Sequence, residues 1–235
     1  KPDFLLYPGY FTDQVLFVRQ SKELGFDYKI ALTTGGSGLK DFGKALGDDS
    51  EGVGLVGFTS MDVNPKFAKG VKEFAALHIK LLGREADGPY PLMNYMGTKV
   101  LFEAIRKGGA VEPEAVRKGA LSIDSPPEGT ETGGGVKFDP KTGQNLRAIT
   151  PVAQWQKQQM PTVWPEKAAI AKMKVHDGCA VNLFASEEQF PDLINPVQMA
   201  WDPRGRLWVA AWRNYPGRTP WSDRGDTLLV LEDTN

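Results

Sequence analysis

The stretch Tyr28-Lys29-Ile30-Ala31-Leu32-Thr33-Thr34-Gly35-Gly36-Ser37-Gly38 decides the fold class. Tyr28 to Leu32 is a short apolar run of strand length, and the glycines from Gly35 to Gly38 form a turn. Leu39 to Leu46 has the length and spacing of a short helix. Upstream, Phe4-Leu5-Leu6-Tyr7 ends at Pro8-Gly9 and reads as a buried strand. Thr12 is a candidate N-cap, with Asp13 favourable in the first turn of a helix. Val15, Leu16, Val18 and Arg19 continue at helical spacing, and Gly25 after Leu24 is a stop signal. Downstream, Val53 to Phe58 is a third apolar run. Strand, helix, strand, helix, strand in this order predicts an α/β domain with a parallel sheet and right-handed crossovers.

Beyond it the period lengthens. Phe67, Val71, Phe74, Ala75, His78 and Leu82 share one face of a long amphipathic helix starting near Pro65. Pro91 to Lys107 is a second helix, with Leu92, Met96, Val100, Leu101 and Ile105 apolar and Gly108-Gly109 ending it. Glu112 to Leu121 is a third, with Pro113 in its first turn. Pro126 to Gly129 and Gly133 to Gly135 are loops. Val136 to Phe138 leads into the turn from Asp139 to Asn145, and Ala148 to Gln156 alternates as a strand.

After Trp164-Pro165 the pattern changes again. Residues 165–174 read as a linker, and 175–235 as short strands and turns rich in tryptophan. Val181, Leu183 and Ala185 alternate. Val197 to Trp201 and Arg206 to Trp212 form a hairpin around Asp202-Pro203-Arg204-Gly205, and Thr227 to Leu231 is a further strand. Strands this few do not bury both faces of a sheet, so apolar faces and edges left uncovered would favour aggregation.

Composition excludes several classes. The 235 residues carry a formal net charge of −1, so no basic excess draws this chain to nucleic acid. No apolar run approaches the ~20 residues of a spanning helix. A single cysteine, Cys179, excludes an internal disulfide, and two histidines, His78 and His176, exclude a His-rich metal site. No signal peptide is present and the chain opens at Lys1 without an initiator Met, as a pattern already under way. Neither a catalytic constellation nor a cofactor fingerprint stands out. The turn Thr33 to Gly38 lacks the Gly-Lys-Ser/Thr ending of a P-loop and the spacing of the dinucleotide fingerprint. His176 and Cys179 lack further ligands, and Glu187-Glu188 and Asp223 with Asp226 read as solvated loop charges. Trp201, Trp208 and Trp212 read as packing residues ahead of a sugar-stacking platform.

Several stretches, in this order and spacing, carry a resemblance. They are Lys1-Pro2-Asp3-Phe4, Gly9-Tyr10, Phe17-Val18-Arg19-Gln20 with Glu23-Leu24-Gly25, and Ala45-Leu46-Gly47-Asp48 with Glu51-Gly52-Val53. Gly135-Val136-Lys137-Phe138-Asp139 and Gln154-Trp155-Gln156 through Val163-Trp164-Pro165 complete the set. Residues 1–164 resemble the second half of a type I periplasmic substrate-binding protein of the branched-chain amino acid, amide and urea group. The resemblance implies a partial two-lobed domain. Lys1 to Thr59 and Val136 to Gln156 would belong to the second lobe, the helices from Pro65 to Leu121 would return to the first, and the opening half of that lobe would be missing. It further implies a small-molecule ligand in an interlobe cleft, an ABC permease as partner, no cofactor, no enzyme activity and a periplasmic or secreted location. Residues 175–235 resemble the first blade of a β-propeller dehydrogenase-like domain, through Asn195 to Asp202, Gly205-Arg206-Leu207-Trp208-Val209 and Asp226 to Asn235.

By that resemblance Tyr10 matches the aromatic residue that covers the ligand. Thr34 falls near the position where amino-acid binders place a carboxylate for the ligand's ammonium, yet no Asp or Glu stands between Ile30 and Gly38. An amide, urea derivative, carboxylate or aromatic acid is therefore as well matched as an α-amino acid. Gly35 opens the turn whose backbone N–H groups would receive a ligand oxygen. The plainer readings are a loop tyrosine packed on its neighbour and a tight turn that only borders a cleft. Two other origins remain open: a sensor fused to a propeller oxidoreductase, or two truncated pieces joined by an error of assembly.

Overall fold

The computed structural model describes residues 4–26, 28–166, 169, 172–175, 177–180, 184–185, 189–193, 196–211 and 225–232. The chain divides into two compact units, Lys1–Gly178 and Cys179–Asn235.

In the first unit β1 (Phe4–Tyr7), β2 (Ile30–Thr33) and β3 (Val53–Val56) lie parallel, joined by α1 (Phe11–Glu23) and α2 (Lys40–Leu46). This is the expected α/β arrangement. β6 (Val152–Gln154) and β7 (Thr162–Trp164) extend the sheet antiparallel, giving the order β1-β2-β3-β6-β7. β1 is not the buried strand expected of Phe4 to Tyr7. It forms the sheet edge, and Phe4 and Leu6 are 50% and 41% exposed while Tyr7 stacks on Phe17 of α1. Val15 and Val18 of α1, Phe42 and Leu46 of α2, Val53 and Leu55 of β3 and Trp155 form one core. Fully burying side chains such as Phe42 and Leu55 contributes about 1.5–3 kcal/mol each.

α1 begins two residues earlier than expected. Tyr10, not Thr12, is the N-cap, with extended backbone, and the Asp13 carboxylate accepts the Tyr10 N–H at 3.3 Å. Asp13 thus closes the first turn that Thr12 was expected to cap. α3 spans Val71–Leu82 and starts later than Pro65. A separate turn precedes it, in which Asn64 accepts from Phe67 N, Ala68 N and, through its side chain, Lys66 N. α4 (Tyr90–Gly108) and α5 (Pro113–Leu121) follow. α3 and the start of α4 enclose Val63, Phe67, Val71, Phe74 and Leu92. The other end of α4 packs on Ile123 and on Val136, which lies in the two-stranded sheet of β4 (Asp124–Ser125) and β5 (Val136–Lys137). Leu101, expected on the buried face of α4, is 49% exposed, and Leu81, Leu82 and Phe102 are more exposed still.

β6 is shorter than the run from Ala148 to Gln156. Pro151 has no N–H for the ladder, and Trp155 N leaves the β6–β7 pairing to donate to Val53 O at 2.9 Å. Past Trp164 the chain straps back onto this unit. Lys174 N donates to the Gln154 side-chain oxygen at 2.7 Å, and Gln154 and Gln156 donate to Lys174 O and Lys172 O. The Lys174 ammonium meets Glu51 at 2.5 Å and holds that carboxyl below its usual range.

The second unit is an antiparallel sheet, β10-β9-β8, of β8 (Pro196–Trp201), β9 (Leu207–Ala211) and β10 (Thr227–Leu231). The hairpin and the strand from Thr227 stand where the sequence placed them. Asp202 organises the turn: its carboxylate accepts from Arg204 N, Arg206 N, the Arg206 guanidinium and Trp208 Nε1. Trp201 is not a packing residue of the kind expected. It is 59% exposed and touches Phe184 edge-on. Trp212, Val181, Leu183, Asn195, His176, Glu187, Glu188 and Asp223 lie outside the described residues, as do Lys1 to Asp3.

Candidate functional site

The sheet brings its parallel strands to a common carboxyl end, where open α/β sheets bind ligands. Tyr10 stands there at the head of α1, after β1, with its side chain 85% exposed. It is not packed into a loop. Thr34 stands beside it, after β2. Its hydroxyl accepts Gly9 N at 3.2 Å and lies 3.4 Å from Gly9 O, so it ties the β2 turn to the β1 turn. Thr33, by contrast, is buried and bonds Ser37 and Gly54 O.

Gly35 opens the 3₁₀ turn Gly35–Gly38. A β-carbon on Gly35 would run into the Tyr90 hydroxyl, and one on Gly36 would meet Phe11 N, Tyr10 C and the Gln14 side-chain oxygen. Only glycine allows this approach. Tyr90 begins α4, behind Pro89, and tilts against Phe58 with ring centroids 5.2 Å apart. Burial pushes the Tyr90 phenol up from its ordinary pKa, and the Tyr10 phenol adds to the shift. Two helix N-termini, of α1 and α4, therefore arrive at one glycine turn. Their partial positive charge favours a negative or carbonyl oxygen.

Two residues here escaped the sequence reading. Tyr90 opens α4, far along the chain from Gly35, and only the tertiary fold brings the two together. Gln14 is fully buried, and its amide donates to Gly9 O at 2.8 Å and Thr34 O at 3.1 Å, while its Oε1 has no partner among the described residues. A signal for Gln14 existed: it shares the inward face of α1 with Val18 and Ser21, a place for apolar side chains.

The other candidates do not join this site. His78 is buried beside Phe74, with Nδ1 2.9 Å from Arg84 O, as expected of a packed histidine. Gly133 to Gly135 form a loop over Phe67. Among the described residues no group of three or more His, Cys, Asp or Glu side chains is placed to hold a metal ion. No described helix is long and apolar enough to cross a membrane.

Comparison with known proteins divides the chain in two. A family model described as a domain of unknown function (DUF7133) matches residues 165–235. The Leu/Ile/Val-binding protein homolog 8 of Brucella abortus is 35% identical over 175 residues, covering 73% of this chain and 43% of the relative. Homolog 7 from the same organism is 34% identical over 175 residues. The chain thus spans less than half the length of the curated relatives it matches. Among solved structures, a leucine-binding protein from Thermotoga maritima superposes with a TM-score of 0.55 at 19% identity, over 68% of this chain and 43% of that one. A branched-chain amino acid transporter substrate-binding protein from Streptococcus pneumoniae, in complex with isoleucine, gives 0.53 at 18%, over 72% and 44%. The homology to Leu/Ile/Val-binding proteins and the mixed α/β fold of the type I periplasmic binding lobe are therefore established. The relatives are named as binding proteins and not as enzymes.

Proposed function

We propose that residues 1–164 act as part of the substrate-binding component of an ABC importer, taking a small polar ligand at the Tyr10–Thr34–Gly35 edge and presenting it to a permease in the periplasm. The observation that carries this reading is the meeting of Tyr10, the Gly35 turn and Tyr90 at the carboxyl end of the parallel strands. In this reading Tyr10 covers the ligand, and Gly35 N–H with the Tyr90 hydroxyl receives its oxygen. Thr34 and Gln14 hold the two turns at a fixed spacing. The nearby Asp13 carboxylate accepts the Tyr10 N–H, and the turn from Thr33 to Gly38 holds no Asp or Glu to pair with an ammonium. Ligands read through a carboxylate or amide oxygen suit the site best: branched-chain amino acids held by their carboxylate, amides, urea derivatives and simple carboxylates. Closure would occur where the chain passes between its two helical and sheet layers, near Ser60, whose hydroxyl donates to Met160 O at 2.6 Å.

Calorimetry with leucine, isoleucine, valine, acetamide, urea and benzoate tests it. Saturable binding of one class, weakened about tenfold by Tyr10→Ala, is the expected result. If the natural full-length product binds none of them, the reading fails.

The antiparallel meander β8-β9-β10 favours a second proposal for residues 175–235, a propeller-type blade joined through residues 165–174. Propellers repeat a supersecondary unit every ~40–50 residues. Recurrence of the pattern Asp202-Pro203-Arg204-Gly205-Arg206-Leu207-Trp208-Val209 in the full gene product would support it, and would raise the case for a fused oxidoreductase. Its absence there would remove it.

A further inference from the structure

A cavity of about 620 Å³ lies in the first unit, between α3 and the sheet. It reaches Gly38 at the end of the glycine turn and Pro89 beside Tyr90, but Tyr10, Thr34, Gly35 and Tyr90 do not line it, and its volume falls in the range of about 300–1,000 Å³ typical of small-molecule sites. The walls are mostly apolar, built from Leu55 of β3, Val71, Ala75 and Ile79 of α3, Trp155 and Met160. Such a chamber gives a neutral sugar or a bare inorganic ion little to bind.

The charges around it are uneven. Lys40, Lys44 and Lys72 line the cavity against two acids, Asp62 and Glu85. Lys40 is ion-paired with Glu85, and Lys44 with Asp41 at 2.8 Å. Lys72 has no ion-pair partner among the described residues and stands one turn before Ala75 on α3. An apolar chamber bordered by an uncommitted ammonium is complementary to a monoanion with an apolar tail. A cationic amphiphile would meet three lysines against two acids, of which Glu85 is paired with Lys40 and only Asp62 is without an ion-pair partner among the described residues.

We propose that this cavity is a second ligand site, separate from the Tyr10 edge, which takes a medium-chain aliphatic monocarboxylate: the tail lies against Leu55, Ala75, Ile79 and Trp155, and the carboxylate pairs with Lys72. The proposal is independent of transport function, because it rests on none of the residues assigned to the cleft.

Octanoate titrated into the full chain by calorimetry tests it, with octylamine as the cationic counterpart. Saturable octanoate binding is expected, with octylamine failing to compete. Lys72→Glu should weaken octanoate roughly tenfold by reversing the charge at the mouth. Ala75→Phe should weaken it by filling the chamber, and Tyr10→Ala should leave it unchanged. Lys72 is exposed, so Lys72→Glu keeps the melting temperature and reports on binding alone. No saturable binding, equal binding of octylamine, insensitivity to Lys72→Glu, or loss on Tyr10→Ala would each overturn the proposal.

Discussion

Trp155 Nε1 donates to Ser37 O at 2.9 Å, both groups buried, across 118 residues of chain. The bond fixes the glycine turn after β2 to the strand that returns to the sheet after α5. The indole also stacks on Phe42, with centroids 6.1 Å apart. Trp155→Phe keeps an aromatic ring but leaves Ser37 O without its donor. A loss of about 1–3 kcal/mol is expected from the unpaired carbonyl, and Trp155→Ala should cost about 3–5 kcal/mol through the added cavity. Urea unfolding of the two variants checks both the order and the gap.

Gly35 and Tyr90 should be energetically coupled. Gly35→Ala places a methyl group on the Tyr90 hydroxyl, and overpacking of this kind costs about 1–3 kcal/mol. Removing that hydroxyl with Tyr90→Phe makes room. The double variant should therefore be more stable than the sum of the single changes predicts, and a thermodynamic cycle on melting data measures the difference. Strict additivity would show that the turn is not held against α4.

Gln14→Leu keeps the volume of the side chain and removes its bonds to Gly9 O and Thr34 O. Burying one fewer unpartnered oxygen offsets part of the loss, leaving an expected net cost of about 1–2 kcal/mol. The larger effect should be local, with faster amide exchange around Gly9 and Gly36 than in the α2 core. Uniform exchange across the sheet would argue that Gln14 is only a packing residue.

Acid should loosen the β8–β9 turn. Desolvation acts to raise the Asp202 pKa, but the Trp208 indole, the Arg206 guanidinium and two backbone N–H groups outweigh it and hold the carboxyl well below 3.8. A depressed folded pKa gives stabilisation that is complete above the unfolded value and is lost as pH falls below it. Amide exchange at Arg204 and Arg206 should accelerate below about pH 4. Asp202→Asn should abolish that acceleration and show fast exchange at neutral pH.

The alternation of strands and helices was legible because each element is bounded by its own signals, such as Pro8-Gly9 after the first run and Gly25 after α1. What escaped depends on neighbours. Phe4 to Tyr7 has the composition of an inner strand, but only pairing reveals that it stands at the edge of the sheet. Thr162–Trp164 is too short for periodicity to register and exists because β6 offers it an edge. The helix expected from Pro65 was cut by Asn64, which caps a turn of its own before α3 can start. At the site, Tyr10, Thr34 and Gly35 stand after strands that pair in parallel, so adjacency in the sheet follows from the strand order. Tyr90 and Gln14 owe their roles to contacts that no local pattern encodes. Trp201 was misjudged because burial of a tryptophan on a strand depends on what lies over that face.

The strap of Lys172 to Lys174 gives the chain two different frontiers. By similarity, the second segment starts at residue 165, where the family match begins. By contact, Lys174 still belongs to the first unit, which continues to Gly178. The border of the family match and the border by contact therefore fall at different residues. Severing the polypeptide at residue 165 would take Lys172 and Lys174 away from Gln154, Gln156 and Glu51, whereas a cut past Gly178 would leave the clasp fastened.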